Sequence, residues 1–218
     1  AEGPIPSFTK ALDEMIFEND LILVASAGNI KPLHIQDYIS KGIGFPQYTT
    51  GHKIFFPGDC RNAITVGSST DVDSNIASAG PSPFTRSSPM SDMVKPEVLA
   101  PGGNLKAIYS GQTITSVSSS GLGLHTASNV DSGMIEGVDT SFSSPVISNL
   151  AACILSCYPS ISAALVKALI LSSCNTEKSQ RNALDFIKGF GDPDKDIALH
   201  SKRWRVEKED DFCGSYEM

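Results

Sequence analysis

The apolar positions change period several times along this chain of 218 residues. Phe8, Ala11, Leu12, Met15 and Ile16 recur at i, i+3, i+4, i+7 and i+8, which predicts a helix with Ser7 as its N-cap. The run LILVAS (21–26) is short, apolar and partly β-branched, and Ala27-Gly28-Asn29 closes it with a turn. It predicts a buried parallel strand. Residues 30–59 mix Gly, Pro and aromatics and predict a long loop with one short helix. AITVGS (63–68) predicts a second strand, 69–93 a loop, and 94–104 a third strand closed by Pro101-Gly102-Gly103. The Ser/Gly-rich stretch 110–133 predicts an exposed loop or hairpin.

Beyond Ser141 the period becomes helical. Val146, Ile147, Leu150, Ala151, Ile154 and Leu155 line one face, and Ala152 and Cys153 leave little polar surface, so a helix buried nearly all round is expected. Pro145 is expected in its first turn and Pro159 at its end. Ile161, Leu165, Ala168 and Leu169 continue as another helix, and GFGDP (189–193) reads as a turn. Strands alternating with helices make the chain α/β with a mainly parallel sheet. Its length suits one domain, assigned to residues 1–194, with 195–218 as a charged tail or linker.

Charge narrows the partners. The net charge of −7 disfavours a nucleic-acid partner. The apolar runs are expected to fall short of a membrane span. The five cysteines are scattered without a CxxC pair, which favours a reducing compartment, and Cys153 and Cys157, four apart on a predicted helix, are expected to be small buried hydrophobes. The opening AEGPIPS lacks the charged and apolar regions of an export signal, and without an initiator Met it leaves a lost upstream segment in view. Together with the unpaired thiols, this gives a cytoplasmic expectation.

Parallel α/β sheets place ligands at the carboxyl ends of their strands. Two polar features would meet there: Ser26-Ala27-Gly28-Asn29 after the first strand, and Thr140-Ser141 before the apolar helix. A serine hydroxyl at a helix N-terminus sees backbone N–H donors and the positive end of the dipole. An Asn amide nearby could donate to the same developing oxyanion. Ser141 as an ordinary helix cap is the plainer alternative.

Here the chain resembles the subtilases, the subtilisin-like serine proteases. ILVASAGN (22–29) looks like the strand ending in the family's oxyanion asparagine. FPGDCRNAITVGSSTD (56–71), SPFTRSSP (82–89) and KPEVLAPGGN (95–104) resemble its next segments in order. DTSFSSPV (139–146) is similar to the nucleophile motif Gly-Thr-Ser-x-Ala-x-Pro, and GFGDPD (189–194) to a late Gly-x-Gly turn. The resemblance implies a subtilisin-like three-layer fold whose N-terminal part lies upstream of this chain. It implies Ser141 as nucleophile, Asn29 as oxyanion donor, and Ser26, Ala27, Gly28 and Thr140 beside the substrate, a protein or peptide. The sister sedolisins carry an acidic residue where Asn29 stands, which favours the subtilases.

Two departures stand out. Asp139 replaces the motif's glycine and Ser143 its alanine. The carboxylate is expected either to clash with the pocket's backbone or to bias it toward basic substrates. The family's His and Asp precede the asparagine, yet the 28 residues before Asn29 hold no His. The triad's first half, and with it the upstream half of the domain as partner, is therefore expected outside this chain, which alone is expected to be inactive. His34, His52, His125 and His200 lack a following Gly-Thr, and a local His would make the chain a different hydrolase. A non-catalytic binding or regulatory module is the remaining alternative. No cofactor is identified. Subtilases often bind structural calcium elsewhere, but DVDSN (71–75) lacks the Gly and Glu of a calcium loop and reads as a polar surface loop.

Overall fold

The computed structural model describes residues 7–89, 94–127, 133–174 and 185–200. Its first helix, α1 (Ser7–Glu18), is rotated away from the face its apolar stripe predicts. Thr9, Leu12 and Ile16 turn inward, while Phe8 and Met15 lie exposed. Polar anchors set that rotation. The Asp13 carboxylate accepts the N–H groups of Arg61 (3.0 Å) and Asn62 (2.9 Å), and Thr9 Oγ1 donates to Asp59 at 3.1 Å.

Strand β1 (Val24–Ser26) is shorter than the apolar run that predicts it, since Leu21 stays exposed. The expected loop over 30–59 holds α2 (Pro32–Ser40), with its proline at the start, and a 3-10 turn over Gln47–Gly51. Next come β2 (Ile64–Thr70), β3 (Gly80–Pro81) and β4 (Ser88–Pro89). The predicted third strand is split. β5 (Val94–Lys95) pairs antiparallel with β4, whereas β6 (Val98–Pro101) joins β2 in parallel. Pro96 between them has no N–H to continue a ladder. The low-complexity region forms two antiparallel pairs, β7 (Lys106–Ser110) with β8 (Thr113–Ser118), and β9 (Leu124–Ala127) with β10 (Met134–Gly137). The helices α3 (Thr140–Cys157), α4 (Ala163–Ser172), α5 (Asp185–Lys188) and α6 (Lys195–His200) follow.

β2 is the centre of the main sheet. It pairs in parallel with β1 (Val24↔Ile64) and β6 (Val66↔Val98), and its last two residues meet β3 antiparallel. Alternation along the strands then sorts the two faces. Ile64, Val66, Val98 and Ala100 face Ile147, Leu150, Ala151 and Ile154 of α3, Val166 and Ile170 of α4, and Ala198 and Leu199 of α6. The core thus reaches Leu199, into the segment expected to be a tail. A second cluster of Ile30, Ile35, Tyr48, Phe84 and Leu105 joins α2 to the loops beyond the strand ends.

Three helical expectations are corrected. α3 buries one face only. Val146, Ser148, Asn149 and Ser156 are exposed, because the polar residues share the outward side. By length and a mean hydropathy of 1.2, α3 would also qualify as a membrane span, contrary to the expectation from the apolar runs; its buried third lies on the sheet. Pro145 stands at the sixth helical position rather than in the first turn, so it offers no N–H to the Ser141 carbonyl. In α4 the buried positions are Val166 and Ile170, one residue on from the predicted Leu165 and Leu169. Among the thiols, Cys60 is fully buried, but Cys157 is exposed at the end of α3, and Cys213 lies outside the described residues.

Candidate active site

The two polar features converge, although 111 positions separate them in sequence: the Thr140 N–H donates to Asn29 Oδ1 at 3.0 Å. Asn29 is held from both sides. Its neighbour Ile30 donates to the Phe84 carbonyl at 2.7 Å, and Arg86 Nε donates to the Asn29 carbonyl at 3.0 Å. Ala27, beside Ser26 at the end of β1, is buried and donates to the Val66 carbonyl at 2.8 Å. Gly28 has a φ of +84°, a conformation that suits glycine, and a Cβ there would meet the Arg86 side chain at 3.2 Å. Its N–H donates to Thr140 Oγ1 at 3.2 Å, so the buried threonine ties the turn to the helix start.

The Pro101-Gly102-Gly103 turn sets the entry to α3. The Asp139 N–H donates to the Gly102 carbonyl at 3.1 Å, and Ser143 Oγ donates to the Pro101 carbonyl at 3.1 Å. A Cβ on Gly102 would lie 2.7 Å from Ser143 Oγ and 2.8 Å from the Asp139 carbonyl oxygen. Glycine is therefore required for the close approach of loop and helix. Ser143, the second departure from the motif, is fully buried and spends its hydroxyl on this junction.

Asp139, not Ser141, is the N-cap of α3. Its backbone is extended (φ −169°, ψ 147°), and its carboxylate accepts the Ser141 N–H at 2.7 Å. The carboxylate is turned onto the helix end rather than against the pocket's backbone. Burial would raise its pKa, but hydrogen bonds from the Asn29 side chain, the Ser141 hydroxyl and the Ser141 N–H outweigh burial and hold the carboxyl below its ordinary range. A carboxylate so stabilised is a weak base for the Ser141 hydroxyl. Ser141 itself is exposed.

Among the described residues, none of the four histidines hydrogen-bonds to Ser141. His34 and His52 stack with centroids 5.8 Å apart, His125 on β9 lies 3.9 Å from Glu136, and His200 ends α6. Among the described residues there is no cluster of three or more His, Cys, Asp or Glu suited to a metal. In the 71–75 loop, Asp73 accepts the Ala79 N–H at 2.6 Å.

The model of the subtilase family matches residues 2–191. The chain belongs to the subtilase family. An uncharacterised protein, y4bN of Sinorhizobium fredii (strain NBRC 101917 / NGR234), is 26% identical over 208 residues, which are 85% of this chain and 47% of that protein. The prenylagaramide maturation protease PagA superposes with a TM-score of 0.57 at 19% identity, covering 90% of this chain and 56% of that one. The MycP3 protease of a type VII secretion system gives 0.53 at 23% identity, covering 91% and 50%. These structures share the subtilisin-like protease fold, and the chain spans about half the length of the relatives it matches.

Arg86 and the capping role of Asp139 are absent from the motif reading. The cap had a signal, because Asp is among the strongest N-cap residues and stands two positions before Ser141. Arg86 had none, since its place beside Asn29 depends on the bridge between Asn29 and Thr85.

Proposed function

We propose that this chain is the serine-bearing half of a subtilase catalytic domain, and that the intact protein is a serine endopeptidase working through an acyl-enzyme. Ser141 Oγ attacks the scissile carbonyl, while the Ser141 N–H and the Asn29 side-chain amide receive the negative charge on its oxygen. Ser26, Ala27, Gly28 and Thr140 line the approach of a protein or peptide substrate. The His that takes the proton and the Asp that orients it come from an upstream segment, so this chain alone is inactive. The observation that carries the reading is the 3.0 Å bond from the Thr140 N–H to Asn29, which draws the strand end and the serine together. The test is peptide hydrolysis by the intact protein, upstream segment included, against Ser141→Ala. Loss of the nucleophile should lower turnover by about 10⁶; equal turnover in the two proteins would reject the assignment.

The contact between Asp139 and the Ser141 N–H favours a second reading, a non-catalytic subtilase module that binds rather than cleaves. It predicts that no serine-directed probe labels Ser141 in the intact protein.

A further inference from the structure

A helix cap and an oxyanion hole make competing demands on one N–H group. In α3 the Ser141 N–H is the second donor of the helix end, the group an N-cap side chain normally satisfies. Asp139 satisfies it at 2.7 Å, a length typical of a charge-assisted bond. The Thr140 N–H, which donates to Asn29 Oδ1 at 3.0 Å, fixes the Asn29 side chain against the same helix end, and the Asn29 side chain helps to hold the Asp139 carboxyl below its ordinary range. The Ser141 N–H and the Asn29 side chain, one from the helix start and one from the strand end, thus meet at this carboxylate. A carboxylate is a stronger acceptor than a neutral peptide carbonyl, and this one is tethered in place.

We propose that the Asp139 carboxylate occupies the oxyanion hole of this site as an internal mimic, so that a substrate carbonyl must displace it before Ser141 can react. The inference rests on the reading of Ser141 and Asn29 as the oxyanion donors. It makes Asp139 a blocking residue whose removal opens the hole. With glycine at 139, both donors are free for an external anion. With asparagine, the cap remains but is neutral and more easily displaced.

The test uses acetate, the simplest carboxylate, on the ¹⁵N-labelled 218-residue chain. Wild type, Asp139→Gly and Asp139→Asn are titrated with sodium acetate against equal sodium chloride, following the Ser141 amide and the Asn29 side-chain amide. Saturable shifts of both signals are expected in Asp139→Gly, weaker ones in Asp139→Asn, and none in wild type. Should Asp139→Gly fail to fold, Asp139→Asn decides in the same way. Wild type responding as strongly as the variants would show an open hole and overturn the proposal. Variants that do not respond would overturn it equally, leaving Asp139 a simple cap.

Activity separates the two claims. In the intact protein, Asp139→Gly is expected to raise kcat/KM for a peptide at least about tenfold, against the 10²–10³ that one oxyanion donor commonly contributes. An unchanged or lower Ser141-dependent rate would sink the block while sparing the endopeptidase reading. No Ser141-dependent turnover in either protein would sink the endopeptidase reading, and the acetate titration would still decide the block.

Discussion

The Ser141 N–H donates to the Asp139 carboxylate at 2.7 Å, so the residue that departs from the subtilase motif is bonded to the serine two positions on. The same bond caps a helix of 18 residues. Under the proposed assignment of Ser141, stability and catalysis draw on one contact.

That contact has a pH signature. The folded-state pKa of Asp139 is depressed, so its stabilisation is fully present above the unfolded value of about 4 and is lost as pH falls through the folded value. Asp139→Ala is expected to lower stability by about 1 kcal/mol at pH 7, the usual value of a cap. The difference between the two proteins should shrink below about pH 4. Urea midpoints at pH 7 and pH 3 check both parts.

A buried ion cluster lies beneath the sheet. Glu97 Oε2 accepts from Lys95 Nζ at 2.9 Å and from the Thr65 N–H at 2.7 Å, while Oε1 accepts from Lys167 Nζ at 2.6 Å. Lys95 is 1% exposed, and burial lowers its pKa against the opposing pull of Glu97. Glu97→Gln strands that lysine and is expected to destabilise the fold by about 3–5 kcal/mol. Lys95→Met leaves Glu97 paired with Lys167 and should cost less. Denaturant unfolding of both variants gives the order, and a larger loss for Lys95→Met would contradict this account of the cluster.

His52 should make stability depend on pH in the opposite range of the scale. Burial lowers its pKa first, and the positive Arg86 and His34 lower it further. Tyr38 meets it edge-on, and its Nε2 is buried with no hydrogen-bond partner among the described residues. The folded state then binds fewer protons than the unfolded chain just below pH 6.5, so stability falls with pH from there to the folded value and is flat beyond it. His52→Gln is expected to remove that slope between pH 7 and 5, as read by thermal or urea unfolding.

How much of this was legible in the sequence follows from what each feature depends on. The strand at 24–26, the turn at Gly28-Asn29 and the helix after Asp139 declare themselves through local apolar period and turn residues, and their order marked the family. The meeting of Asn29 with Thr140 was legible because strand ends and helix starts share one edge of a parallel sheet. The rotation of α1 was not, because Asp13 bonds to Arg61 and Asn62, 48 and 49 residues away. The split at Pro96 was signalled by the proline, yet only the pairing of β5 with β4 shows where the two halves go. Asp139 was visible as a departure, but its effect depends on which way one carboxylate turns.

The central claim is that Ser141 is a nucleophile behind a self-occupied oxyanion hole. Peptide mapping of the intact protein after incubation with a fluorophosphonate tests it most directly. The account predicts an adduct on Ser141, formed faster in Asp139→Gly and absent in Ser141→Ala. No adduct on Ser141 in either the wild type or Asp139→Gly, with the protein folded, would contradict it.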